Sequence, residues 1–422
     1  MSEPTTGFRV DDINLSDMEF WRRPYGERES AFRTLRQERP ISHYDEPIFE
    51  GSSVEFPAGD GFYALTRYAD VSEVSRHPDV FLSGPGAVSL LDLPPEMVEY
   101  FSGMISTDNP KHARLRRIVS NAFNPRNVRA VEESIERVAD EIIQRARQDG
   151  TGDFITDVAA PFPLEIICSM MGVQPSEYAT VLKCSNIILS NGDPEFIPEG
   201  TDPVLAFLEA GATLTGIMEE LGKYRVDQPI DDITSALVNA EIESEKLTQQ
   251  ELASFFVLLV TAGNETTRTA LAHALHAFGE YPAQQRRLVE DYDGLAKTAT
   301  DEIVRWASPV IWMRRTLSRD YTLSGFDLKA GEKVVMFYNS ANRDEDAFVD
   351  PYVFDVGRAP NDHFGFGAPG PHFCLGAHLA RREITVMWRE LLQRTPGIHP
   401  TGPPAQLASS FINGIKHLNY SF

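Results

Sequence analysis

The chain has three cysteines, and one stands where a sulfur could do chemistry. Cys374 lies in the run His363-Phe364-Gly365-Phe366-Gly367-Ala368-Pro369-Gly370-Pro371-His372-Phe373-Cys374-Leu375-Gly376, directly ahead of a helical pattern. A thiolate there meets free backbone N–H groups and the positive end of a helix dipole. The glycines before it let the backbone come close to a flat object. An electron-rich sulfur presented in this way can be the axial ligand of a haem iron, where it favours O–O cleavage. Three other chemistries compete. Gly365 to Gly370 formally matches a dinucleotide fingerprint, but prolines interrupt it and no βαβ unit follows. His372, Cys374 and His378 lack a fourth zinc ligand at a recognisable spacing. A nucleophilic thiol needs an oriented His or Asn partner, which the sequence does not supply. Cys168, in an apolar segment, reads as a buried small hydrophobe. Cys184 carries no signal.

A second constellation is Ala262-Gly263-Asn264-Glu265-Thr266-Thr267, in the middle of an apolar helical pattern. Glycine in a helix interior costs about 1 kcal/mol against alanine. Threonine can divert a helical carbonyl and widen the turn. The plain reading is a kinked helix with a satisfied carboxylate. The sharper one is an oxygen-binding notch, in which Ala262 and Gly263 give room, Thr266 holds oxygen or a water, and Glu265 relays protons. A third is Glu302-Ile303-Val304-Arg305, whose spacing places a charge pair on one helical face. A fourth is His112-Ala113-Arg114-Leu115-Arg116, where His112 and Arg116 converge one turn apart. It opens a run containing Lys111, Arg114, Arg116, Arg117, Arg126 and Arg129 with no acid before Ala130. In so acidic a chain, six cations together suggest a docking patch or a bound anion.

These residues need a mainly helical frame. Helical periodicity marks Asn127 to Arg147, Pro203 to Val226, Thr248 to Tyr281, Ala296 to Ala307 and Leu375 to Gln393. Thr248-Gln249-Gln250-Glu251 is a capping box that opens the longest of them. That helix is apolar on several faces, so it runs through the interior. Strand signals occur at Phe62 to Tyr68, Tyr321 to Ser324, Val334 to Tyr338 and His417 to Phe422. Composition is that of a globular protein: 42% hydrophobic and 24% charged over 422 residues, with 39 basic against 62 acidic residues and a net charge of −23. Such a surface repels nucleic acid. No run approaches the roughly 20 apolar residues of a membrane span. The absence of a disulfide framework or signal-peptide core fits a reducing cytoplasm.

Together the four motifs, in this order, resemble the cytochrome P450 haem-thiolate monooxygenases along nearly the whole chain. The resemblance implies a single α-rich domain with small β-sheets and a β-rich N-terminal lobe over residues 26–422, preceded by an extended lead-in at 1–25. It implies haem b (iron protoporphyrin IX) as cofactor and Cys374 as its iron ligand. Glu265 and Thr266 match the acid–alcohol pair of the oxygen groove. Glu302, Arg305 and Arg358 match a structural support beneath the haem. His112, Arg116, Arg315 and His372 match propionate-binding groups, with Arg314 a rival to Arg315. Ala262, Phe366 and Gly376 fall on haem-contact positions. The loop is one residue longer than the common pattern, so Phe366 stands eight rather than seven residues before the cysteine. A longer loop of this kind is similar to that of a mycobacterial-type subgroup acting on methyl-branched lipids and cholesterol-derived steroids.

The resemblance further implies an apolar substrate pocket. Its walls would include Leu90, Leu91, Met97, Phe101, Met104, Ile105, Thr261, Val310, Ile311, Trp312, Phe411 and Ile412, although any one of these singly reads as core. The activity implied is insertion of one oxygen atom of O2 into an unactivated C–H bond, at the ω end of a methyl-branched lipid or isoprenoid. A cholestenone-type steroid side chain is the alternative substrate. Electrons would come from a ferredoxin and its NAD(P)H-dependent reductase, docking on Lys111 to Arg129 with Arg381 and Arg382. A peroxide-driven enzyme and a non-catalytic haem sensor or carrier are the competing functions.

Overall fold

The structure is a computed structural model that describes residues 7–48, 52–54, 56–57, 59–93, 97, 103–122, 125–190, 192–197, 200–239 and 246–422. Its axis is the helix Gln249–Glu280, opened by the capping box that the sequence announces. Thr248 Oγ1 accepts from the Glu251 N–H at 3.1 Å, and Glu251 Oε2 accepts from the Thr248 N–H at 2.9 Å. Two reciprocal bonds satisfy orphan donors at this end. Nineteen of the helix's residues are buried, so it is walled on most sides. Helices Pro161–Met171, Tyr178–Leu189, Pro203–Asp227 and Tyr292–Ala307 pack round it, and Ala377–Arg394 follows the cysteine loop.

The main sheet has five strands in the order Ile41–Tyr44, Phe62–Leu65, Lys333–Phe337, Trp312–Leu317, Phe81–Leu82. All pairings are antiparallel except Phe62–Leu65 with Lys333–Phe337, where Tyr63 opposes Val334. The β-rich lobe is therefore N-terminal for three strands and completed by two from the C-terminal half. Lys333–Phe337 is buried at every position, as expected of a central strand covered on both faces.

The extended lead-in expected over residues 1–25 is folded where it is described. Val10–Asp12 and Met18–Trp21 form short helices. Ile13, Leu15, Phe20 and Trp21 enter the core beside Phe32, Phe62 and Phe337. The Trp21 ring stacks on Phe337 at 6.2 Å. Four large apolar side chains supply enough burial to dock this segment. Among the described residues no helix is long and apolar enough to cross a membrane.

Candidate active site

Cys374 sits three residues ahead of helix Ala377–Arg394, with Gly376 at the N-cap position. The loop is pinned by its own backbone: the Cys374 N–H donates to Phe366 O at 3.0 Å, and the Ala377 N–H to Cys374 O at 3.4 Å. Cys374 is an exposed residue although protein surrounds it on most sides. Desolvation raises its thiol pKa, opposed by the Gly376 N–H and by the charges of Arg116 and Arg381. A Cβ at Gly376 would meet nothing within 4 Å, so the backbone here borders free space. No group of three or more His, Cys, Asp or Glu side chains among the described residues is arranged for a metal ion.

Four basic side chains from three elements converge beside this loop. Helix Lys111–Ala122 is anchored through Leu115, Ile118 and Val119, which places His112 and Arg116 together on another face. The Arg116 Nη2 donates to Phe373 O at 2.7 Å. The His112 and His372 rings lie 4.1 Å apart. Burial pushes His372 down to about 3, helped by Arg315, His112 and Arg116, and His112 is also lowered, first by burial and then by Arg116. His112 Nε2 is buried without a hydrogen-bond partner. Strand alternation gives Arg314 and Arg315 different partners. Arg314 is committed to Ser89 O, Leu91 O and Asp92, whereas the Arg315 guanidinium, among the described residues, donates to Arg314 O and belongs electrostatically to the histidine cluster. The nearby acid Asp108 is occupied by the Ser83 and Gly84 N–H groups. Two guanidiniums and two neutral imidazoles able to donate hydrogen bonds, with the nearby acid already engaged, fit a bound dianion.

The central helix crosses the same space. Ala262 is exposed and Gly263 and Thr266 half-exposed, in a helix whose neighbouring positions are buried. Ala262 and Thr266 border an opening, whereas a Cβ at Gly263 would meet Ile167 at 3.4 Å. The Thr266 hydroxyl donates to Ala262 O at 2.7 Å, and Thr261 does the same to Val257 O. The helix continues through both. Glu265 is buried and pairs with Arg268, whose Nη1 donates to Asn186 Oδ1 at 2.9 Å. Burial raises the Glu265 carboxyl, and Arg268 opposes the rise. The acid and the alcohol of this motif are therefore not brought into contact: Glu265 faces Arg268 and Thr266 faces the opening. Arg268 and Asn186 are functional candidates that the sequence reading missed. Glu265-x-x-Arg268 has the pairing spacing and could have flagged the first.

Beneath this region Glu302 accepts from Arg305 Nε and Nη2 (both 2.8 Å), the Asp355 N–H, Arg358 Nε (3.0 Å) and Asn361. Arg305 also donates to Asn342 O and Pro351 O and is wholly buried. Among the residues expected to wall a substrate pocket, Val310 bridges Ile412 and the Phe411 ring lies 5.0 Å from Trp312. Leu90, Ile311 and Trp312 pack into the sheet core, while Met104 joins a second core cluster. Leu91, Thr261 and Ile412 are buried. Met97, Ile105, Val310 and Phe411 are half-buried, and Phe101 lies outside the described residues. A cleft of about 680 Å3 runs between Met104–Asp108, Leu115 and the start of the central helix at Leu247–Phe255. It touches the basic cluster where His372 bonds the backbone of Thr107. Of the expected docking cations, Arg114 pairs with Glu251, Arg381 with Asp301 and Arg382 with Glu136. Lys111 is exposed, and the side chains of Arg126 and Arg129 lie outside the described residues.

The family sequence model described as Cytochrome P450 matches residues 212–396. The chain is 46% identical over 412 residues to the methyl-branched lipid omega-hydroxylase of Mycobacterium tuberculosis, covering 97% of this chain and 94% of that protein. It is 38% identical to the steroid C26-monooxygenase of Mycolicibacterium smegmatis, across 91% of this chain and 88% of that one. A solved Mycobacterium marinum cytochrome P450 in complex with pseudoionone matches with a TM-score of 0.92 at 40% identity, covering 99% of this chain and all of the other.

Proposed function

The chain belongs to the cytochrome P450 family, and from that premise we propose that it hydroxylates methyl-branched lipids or isoprenoids at their ω end. It is a haem-thiolate monooxygenase that hydroxylates hydrophobic substrates and binds iron protoporphyrin IX. The observation that carries the finer substrate reading is the 46% identity to the branched-lipid hydroxylase, against 37–39% to the steroid enzymes.

When bound, haem supplies dioxygen reduction and C–H oxidation. In this reading Cys374 holds the iron. His112, Arg116, Arg315 and His372 hold the two propionates, with Arg116 adding charge that favours the thiolate. The exposed Ala262 would leave room beside Thr266. The Thr266 hydroxyl spends its hydrogen on Ala262 O, so its lone pairs are left to hold a proton-bearing water in the opening. Glu265 can pass protons toward that water only by giving up Arg268, which makes the Asn186–Arg268 bond a restraint on delivery. Terminal attack requires the pocket walls to aim the chain end and exclude water.

Electrons would arrive from a ferredoxin and its NAD(P)H-dependent reductase in the cytoplasm, near the half-buried Arg116 and the exposed Phe373. Thr266→Ala is expected to raise the NADH consumed per product severalfold, in keeping with the 10²–10⁴-fold worth of positioned proton transfer. Unchanged coupling would remove Thr266 from proton delivery.

The substrate reading is tested by optical titration of the haem-loaded protein. A low-to-high-spin shift with a methyl-branched fatty acid or isoprenoid, and none with a cholestenone-type steroid, is the expected result. The reverse pattern would move the assignment to steroid side-chain oxidation. No shift with either would remove the substrate assignment and leave the family activity intact.

A further inference from the structure

Phe366 lies buried in the lengthened cysteine loop, and its carbonyl receives the Cys374 N–H. Beyond it Gly367 (φ +83) and Gly370 (φ +154) take positive-φ backbone. A cation covers the ring: Arg381 Cζ is 4.3 Å from the Phe366 centroid. Arg381 comes from the second turn of the helix that Cys374 precedes, and its Nε donates to Asp301 Oδ1 at 2.8 Å. Asp301 also lies 3.5 Å from His363 Nε2, and His363 Nδ1 accepts from the Gly365 N–H at 3.0 Å. Cation, carboxylate, imidazole and ring form a closed circuit around the loop. With 33% of its side chain exposed and Asp301 already paired to it, Arg381 is poorly placed as a free docking charge.

We propose that Arg381 is a positioning residue that clamps the Phe366 ring in the cysteine loop and raises the reduction potential of the haem held by Cys374. The proposal rests on the reading of Cys374 as the iron ligand. Reduction adds one electron from an external donor and takes no proton from Arg381. A fixed positive charge close to that centre favours the state with the extra electron, and more strongly where water is excluded. A planar guanidinium suits the ring face better than an ammonium does. Asp301 holds the guanidinium in place and partly offsets its charge.

The test is potentiometric titration of haem-loaded native protein, Arg381→Gln, Arg381→Lys and Asp301→Asn, followed in the Soret band. The ferrous CO complex is recorded first. A native protein without the thiolate signature there defeats the ligand reading rather than the Arg381 proposal. At the native midpoint, Arg381→Gln is expected to lower the ferrous-to-ferric ratio threefold to tenfold, tenfold being about 59 mV for one electron. Arg381→Lys is expected to recover most of that loss, whereas a purely structural role would lower melting temperature without moving the ratio. An Arg381→Gln ratio equal to native, with the thiolate signature intact, overturns the proposal. If Arg381→Gln does not retain haem, Asp301→Asn decides. Removing the offsetting charge should raise the ratio, and an unchanged or lower ratio overturns the proposal.

Discussion

Glu383 is buried between the central helix and the helix after Cys374, and it accepts a hydrogen bond from Thr267 Oγ1 at 3.1 Å. Burial pushes its carboxyl up to about 8, with Thr267 opposing. The folded value lies above the unfolded one, so the folded state holds this proton more tightly. The resulting stabilisation is full below the ordinary carboxylate range and is lost as pH rises toward about 8. Each unit of such a shift is worth roughly 1.4 kcal/mol. Glu383→Gln keeps an acceptor for Thr267 and removes the titration. Its melting temperature is expected to equal or fall below native at pH 5 and to exceed native at pH 9. Parallel pH curves for the two proteins would refute a neutral Glu383. Nothing in the sequence marks this residue, because its effect comes from the dryness of its surroundings. Glu302 and Arg305 were legible from their spacing, as was their third partner Arg358 from the resemblance, and the structure joins all three. The same spacing joins Glu265 to Arg268. What spacing does not reveal is that this pair turns the acid away from Thr266.

At the scale of elements, the helices that reach the site are those with clear periodicity or caps, and their expected ends fall close to those observed. The expected Asn127 to Arg147 becomes Pro125–Asp149, and Pro203 to Val226 becomes Pro203–Asp227. The helix Tyr25–Glu38 was not read, for a physical reason. Its buried positions include Arg28, Glu29, Ser30, Thr34 and Arg36, so polar residues occupy the inward face and erase the apolar stripe. The convergence of strand residue Arg315 on His112 and His372 is equally invisible to periodicity. Another junction joins the C-terminal strand Ile415–His417 to the loop after helix Tyr178–Leu189. His417 Nδ1 meets Asp153 at 2.6 Å and Nε2 meets Glu195 at 2.8 Å, while Lys416 pairs with Asp193 and Glu195. Asp153 raises the His417 pKa first, with burial opposing and Glu195 adding. A raised folded value means that the junction's support is present at low pH and is lost as pH climbs through that value. His417→Ala should therefore melt below native at pH 6, with the difference shrinking by pH 9. A difference independent of pH would mean that the imidazole contributes shape and no charge.

At the scale of the whole molecule, a net charge of −23 surrounds a cysteine face that carries basic side chains. An acidic electron donor is repelled at long range and attracted only near Lys111 and Arg116. Salt screens both, with a Debye length of about 8 Å at physiological strength. If the local patch guides docking, the rate of first-electron transfer should fall from low to high ionic strength, and Lys111→Glu should flatten that dependence. A rate that rises with salt would show that the global charge governs the encounter.

The sheet has a consequence for how the protein is made. Phe62–Leu65 has as its parallel neighbour Lys333–Phe337, and Phe81–Leu82 has as its neighbour Trp312–Leu317. While a ribosome is still producing the middle of the chain, Phe62–Leu65 can pair only with Ile41–Tyr44, and Phe81–Leu82 lacks its sheet neighbour. Parallel pairing over so long a loop is slow, and waiting strand edges invite association with other chains. Translation pace and chaperone supply would then limit the yield of active enzyme more than the strength of its finished core does.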